Sequence, residues 1–196
     1  MKSADILQNR PASVAGSFYP AHADELDQIL KTLFAKAPES LPEGNILAII
    51  SPHAGYVFSG EVAAAAFKQV DPEKTYKNVF IIGSSHRSSF PGASVYSIGN
   101  YITPLGSVKT DIETADKIAG ENKIMAYNPS YQSDEHSIEV QIPYLQYWLK
   151  KEFKIVPILL GTQDERICNK IANILKPWFT HENLFVISTD FSHYPT

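Results

Sequence analysis

The sequence predicts an α/β fold: a three-layer α/β/α domain built around a mainly parallel central sheet. Short, continuously apolar runs of strand length alternate with segments whose apolar residues recur at helical spacing. Parallel strands need crossovers, usually helical ones, so the sheet is expected to be covered on both faces. The 196 residues, 44% of them hydrophobic and 19% charged, suit one domain with a sizeable core. No repeat or low-complexity tract interrupts them, and the longest linker-like stretch is Ala37 to Asn45, with Pro38, Pro42 and Gly44. A single domain over residues 1–196 is therefore expected.

The elements follow in order. Leu26, Ile29, Leu30, Leu33 and Phe34 make one apolar face, which predicts a helix from Ala23 to Phe34. The run Ile46 to Ile50 reads as a strand buried on both faces, and Ser59 as the N-cap of a helix reaching Val70. Val79 to Ile82 is the next strand, leading into Gly83-Ser84-Ser85-His86 and a Ser- and Gly-rich stretch. Thr110 with Glu113 forms a capping-box pattern for a helix from Asp111 to Gly120. Ile138, Ile142, Leu145 and Leu149 share a stripe, predicting a helix from Glu135 to Lys150 that Pro143 bends near its first turns. The strand Ile155 to Leu160, a helix carrying Ile167, Ile171, Ile174 and Leu175, and the strand Leu184 to Ser188 complete the series. The sequence stops at Thr196, shortly after that strand and with no helix to cover it, so the domain is expected to lack its C-terminal part.

Composition narrows the partners. Seventeen Lys and Arg against 21 Asp and Glu give a net charge of −4, which offers no basic field for a nucleic-acid backbone. The lone Cys168 permits no internal disulfide, residues 1–10 lack a signal-peptide core, and the apolar runs are far short of a membrane span. A cytoplasmic protein with no nucleic-acid or membrane partner is expected.

In open α/β sheets, ligands bind beyond the carboxyl ends of the strands. His53, His86 and His193 each follow a different apolar run by only a few residues. Neutral imidazole is a common ligand of Zn, Cu and Fe, so three such histidines point to a metal-type pocket. Loop histidines also cap turns or bond carbonyls, which is the alternative reading of each. The small residues Ala54-Gly55 and Ser84-Ser85 allow close backbone approach to a ligand but serve ordinary turns equally well. Asp190, three residues before His193, could orient an imidazole or a substrate donor, or cap a helix. His136 could face the pocket from a helix start, or pair locally with Glu139. His22 and His181 read as surface or capping residues, Cys168 as a half-buried hydrophobe, and Tyr56 and Phe58 as packing residues.

Five motifs taken together are specific: Arg10-Pro11-Ala12-Ser13-Val14-Ala15-Gly16-Ser17-Phe18-Tyr19-Pro20, Pro52-His53-Ala54-Gly55-Tyr56, Gly83-Ser84-Ser85-His86, Glu135-His136-Ser137-Ile138-Glu139-Val140-Gln141 and Ser188-Thr189-Asp190-Phe191-Ser192-His193. In this order they resemble the MEMO family, also called AmmeMemoRadiSam system protein B, over nearly the whole chain. That family is similar in fold to class III extradiol ring-cleavage dioxygenases. The resemblance implies His53 and His86 as metal ligands, His193 with Asp190 as the acid-base pair opposite them, and His136 lining the same cleft. It also implies a third ligand, a cysteine, beyond residue 196. A thiolate in place of a carboxylate shifts the expected ion toward copper or thiolate-bound Fe(II), with zinc possible, so ring cleavage does not follow from the fold. The expected function is a metal-binding redox protein. A metal-dependent hydrolase, and a module binding peptides or small aromatics as reported for animal members, are the alternatives. The expected partner is a small molecule or a peptide.

Overall fold

The computed structural model describes residues 8–39, 44–121, 123–132 and 134–191. In chain order these form α1 (Ala23–Lys36), β1 (Ala48–Ser51), α2 (Tyr56–Lys68), β2 (Asn78–Ser84), β3 (Ala93–Val95), β4 (Tyr101–Thr103) and β5 (Gly106–Val108). Then come α3 (Ile112–Glu121), α4 (Pro129–Gln132), α5 (Ile142–Trp148), β6 (Ile155–Leu160), α6 (Glu165–Leu175) and β7 (Asn183–Ser188). One sheet has the order β1-β7-β2-β6-β3, parallel throughout except for β3, which runs antiparallel to β6. A separate hairpin pairs β4 with β5. The α/β class and the mainly parallel sheet are as expected from the sequence.

Side chains alternate across the sheet, as the strand's two-residue period requires. Val79 and Ile81 of β2 pack into a core with Leu26 and Leu30 of α1, Phe67 of α2 and Leu145 of α5. Phe80 faces the other way, into a second core with Phe185, Ile158 and residues of α3 and α6. Its ring lies parallel to that of Phe185 on β7, with centroids 4.6 Å apart. The two cores, one on each face, give the three layers. Among the described residues no helix is long and apolar enough to cross a membrane.

Four local expectations are corrected. The run Ile46 to Ile50 is not a strand buried on both faces: β1 stands at the edge of the sheet, and Ile50 is 53% exposed. Helix α2 begins at Tyr56 rather than after Ser59, whose hydroxyl donates back to the Ala54 carbonyl. The cap of α3 lies one residue later than Thr110 and Glu113, with the Asp111 carboxylate accepting from the Thr114 amide and hydroxyl. Most consequentially, the segment from Glu135 to Ile138 is not helical. A 3-10 turn spans Glu139–Gln141, and α5 starts only at Ile142, so Pro143 sits in its first turn and bends nothing. The short strands β3, β4 and β5 carry too few residues for a periodic signal and are not foreseen in the sequence.

Strand order brings the loops together. Ser188 at the end of β7 stands in register with Ser51 of β1 on one side and Gly83 of β2 on the other. The loops carrying His53 and His86 therefore leave the same edge of the sheet, flanking β7. Gly83 is required there, because a Cβ would overlap the Ser137 side chain of the adjoining loop.

Candidate metal centre

His53 follows β1 through Ser51-Pro52, and its position is fixed from β7. The amides of His53 and Ala54 both donate to Oδ1 of Asp190, the second at 3.1 Å. The His53 ring is buried, with Nδ1 2.9 Å from the Ser188 hydroxyl. That hydroxyl has one proton, which it donates to the Ser137 carbonyl, a group that can only accept. It also accepts from Nε2 of Gln141 at 2.8 Å, an amide nitrogen placed by its donation to the Pro52 carbonyl at 2.9 Å. The Ser188 oxygen is thus an acceptor toward His53, so the ring proton lies on Nδ1 and Nε2 carries a lone pair.

The same logic holds for His86. Its Nδ1 donates to Oε1 of Glu135 at 2.9 Å, and its backbone amide to Oε2 at 2.7 Å. Glu135 also accepts the amides of His136 at 2.8 Å and Ser137 at 2.9 Å. Burial alone would raise the Glu135 pKa, but these bonds, led by His86, outweigh it and hold the group at about 2. The carboxylate is ionised and can only accept, so Nδ1 of His86 carries a proton; the same bond raises the His86 pKa, and in the neutral ring Nε2 is a lone pair.

The two Nε2 atoms lie 3.2 Å apart, with the rings nearly perpendicular at 86°. With both rings neutral, two lone pairs are aimed at each other at this distance and repel unless a cation, a proton or a metal ion, lies between them. Imidazole nitrogens at about 2.0–2.1 Å from one ion, with ligand angles of about 90–110°, are separated by about 2.8–3.4 Å. The pair fits a shared metal ion in both distance and tautomer.

A family model described as Memo-like protein matches residues 10–196. The chain belongs to the Memo-like family. A MEMO1 family protein of Methanosarcina mazei is 36% identical over 193 residues, covering 97% of this chain and 69% of that protein. One from Pyrococcus horikoshii is 36% identical over 191 residues, and one from Thermococcus kodakarensis 37% over 191; each match covers 94% of this chain and 65% of the relative. The chain thus spans about two thirds of the length of these Memo-like relatives.

In this Memo-like chain His136 stacks on His86, with centroids 4.5 Å apart and planes 22° apart, while its ring lies 5.9 Å from that of His53. Phe18, from the N-terminal segment, sits 4.5 Å from the His136 ring. The expected alternative partner of His136, Glu139, is engaged elsewhere, by Arg10 at 2.8 Å. His86, Glu135 and His136 bring possible ligand atoms within 4.8 Å of one another, a His/Glu/His group able to hold a metal. Glu135 already receives four N–H donors, which makes it an orienting group for His86 more than an open ligand. Asp190 places its Oδ2 3.8 Å from Nε2 of His53. His193 lies outside the described residues. His22 and His181 are exposed, and Cys168 is half-buried, its thiol 3.8 Å from the Thr162 carbonyl. Tyr56 is a packing residue whose hydroxyl donates to the Val140 carbonyl, but Phe58 is not, being 87% exposed.

Three residues of this Memo-like site are not singled out by sequence reasoning: Glu135, Gln141 and Ser188. Their signal is weak but present, since each is a polar residue that the fold buries beside an apolar run or a candidate histidine.

The site also predicts acid lability. Burial raises the Glu139 pKa, but its bonds from Ser13, Tyr19 and Arg10 outweigh that and hold it below the ordinary 4.5; Glu135 is held at about 2 by its own donors. Folded pKa values below the unfolded ones mean this stabilisation is complete above pH about 4.5 and is lost as pH falls toward 2. Urea unfolding at stepped pH is expected to show stability falling across that window, with a smaller fall in Glu135→Gln.

Proposed function

We propose that this chain is a metal-dependent oxidoreductase that holds Fe(II) or copper on Nε2 of His53 and His86 and acts on a small organic molecule. The observation that carries the reading is the pair of Nε2 atoms facing each other 3.2 Å apart, each on a ring whose opposite nitrogen is tied to Ser188 or Glu135. Such an ion, when bound, would supply one-electron redox chemistry and the activation of dioxygen. The chain's own residues divide the remaining work. Glu135 and Ser188 hold the two rings in their ligating tautomers, as carboxylates and hydroxyls behind histidine ligands do. His136, half-buried and stacked on His86, carries a pKa lowered by burial, so near neutral pH it is uncharged and able to accept a proton from a bound substrate. Asp190 fixes the His53 loop through two amides and puts its second oxygen beside the ring. His193 is proposed as the acid-base partner from the chain beyond Asp190. The thiolate implied by the family resemblance has no counterpart among the described residues, since Cys168 is not part of the His86, Glu135 and His136 group whose ligand atoms lie close enough to share an ion.

Metal uptake and oxygen consumption test this reading together. The wild-type chain is expected to retain Fe or Cu after dialysis and to consume dioxygen with a reductant, whereas His53→Ala/His86→Ala does neither. Equal metal content in both proteins would overturn the reading. Zinc retention without oxygen consumption would move the assignment to a hydrolase.

A further inference from the structure

A second feature lies next to this centre. Beyond the carboxyl ends of β2 and β6 is a cavity of about 410 Å³, with His86 and Arg87 on one wall and Thr162 and Gln163 on the other. Its walls are built rather than incidental. The Ser85 amide donates to the Leu160 carbonyl and the Phe90 amide to the Gly161 carbonyl, both at 2.8 Å, and the Gly161 amide to the Gly92 carbonyl at 2.9 Å. A Cβ at Gly161 would overlap the Phe90 ring, which itself stacks on Tyr131 with centroids 3.8 Å apart. The loop after β2 is thereby held against the loop after β6.

The chemistry of the lining is one-sided. Its ten residues include one arginine and no aspartate or glutamate. Among the described residues Arg87, which is exposed, makes no ion pair. The Ser85 hydroxyl accepts the Ser88 amide at 3.1 Å, and the Thr162 hydroxyl accepts the Asp164 amide at 3.0 Å. Each accepts from its own loop and keeps its own proton for a further acceptor. A cavity lined by an arginine and by hydroxyl donors, with no acid in its lining, suits an oxyanion. With a single formal cation, it matches the one charge and two parallel acceptors of a carboxylate better than a phosphate dianion.

We propose that this cavity binds the carboxylate of a small organic acid, anchored by Arg87. His86 is the one residue common to this wall and the histidine centre, so the same acid is taken as the substrate class of that centre. That second clause rests on the metal reading above.

The test begins with the metal-free wild-type chain titrated by calorimetry or NMR with benzoate, phenyl phosphate and benzyl alcohol. Benzoate is expected to bind saturably and more tightly than phenyl phosphate, and benzyl alcohol not to saturate. Arg87→Gln is expected to weaken benzoate at least tenfold, Arg87→Lys less, and Lys31→Gln, on α1 away from the cavity lining, not at all. Unchanged benzoate affinity in Arg87→Gln, or tighter phenyl phosphate, overturns the carboxylate site. A second arm adds benzoate to the Cu(II)-loaded chain. A change in the copper EPR spectrum that is lost in Arg87→Gln supports the link to the centre, and an unaltered spectrum despite saturation overturns it. If the chain takes up no copper through His53 and His86, the metal reading fails, while Arg87-dependent benzoate binding stands or falls by itself.

Discussion

Glu139→Ala is expected to lower the unfolding free energy by about 3–5 kcal/mol, the cost of leaving a buried charge without its partner. Glu139 is fully buried and Arg10 is 5% exposed, with 2.8 Å between Nη1 and Oε2. The carboxylate also accepts the amides of Ser13 and Val14, the Ser13 hydroxyl at 2.6 Å and the Tyr19 hydroxyl at 2.6 Å. Arg10 in turn donates to the carbonyls of Gln132 and Glu135. The pair thus clamps the segment 10–19 onto the loop that presents Glu135 and His136. Alanine would strand the guanidinium along with two amides and two hydroxyls. Arg10→Met combined with Glu139→Leu removes both charges and is expected to cost much less than the single change. Equilibrium urea unfolding of the three proteins measures this; a single variant within about 1 kcal/mol of wild type would show that the clamp is not a principal support of the fold.

Glu135→Gln is expected to weaken metal binding by about 10–100-fold while leaving the chain folded, the usual penalty for removing a group that orients a histidine ligand. The substitution keeps the size and one acceptor. It turns the other oxygen into a donor, which then faces N–H groups of His86, His136 or Ser137. The His86 ring loses the charge that holds its proton on Nδ1, and the alternative tautomer, which cannot ligate through Nε2, becomes accessible. Competition against a chelator of known affinity reads the change directly. An unchanged affinity in a folded Glu135→Gln would mean that His86 needs no help from this carboxylate.

How much of this was legible in the sequence depended on which interactions set each feature. The strands β2, β6 and β7 could be read because continuous apolar runs such as Ile155 to Leu160 have few other fates in a chain this size. The positions of His53 and His86 followed from those runs, since a residue just past a parallel strand must sit at the carboxyl edge. Their meeting did not follow, because it depends on β7 pairing between β1 and β2, a long-range choice with no local mark. The run Ile46 to Ile50 looked central for the same reason: hydrophobicity reports burial in general but not position in the sheet, and Ile50 faces outward on an edge strand. The helix expected from Glu135 was misread because Ile138, Ile142, Leu145 and Leu149 keep helical spacing across its start. What interrupts it is invisible to periodicity. The amides of His136 and Ser137 are taken by the Glu135 side chain, and the segment is pinned to Arg10 and Ser188 instead of continuing a helical ladder. Ser188 and Gln141 are in the same position, since their roles exist only once three distant loops are adjacent.

The central claim is that His53 and His86 share one ion through their Nε2 atoms, and X-ray absorption at the metal edge of the copper-loaded chain tests it most directly. The expected spectrum contains the scattering of two imidazoles at about 2.0–2.1 Å, falling to one in His53→Ala and in His86→Ala. A loaded ion whose surroundings are the same in wild type and in both variants would contradict the claim.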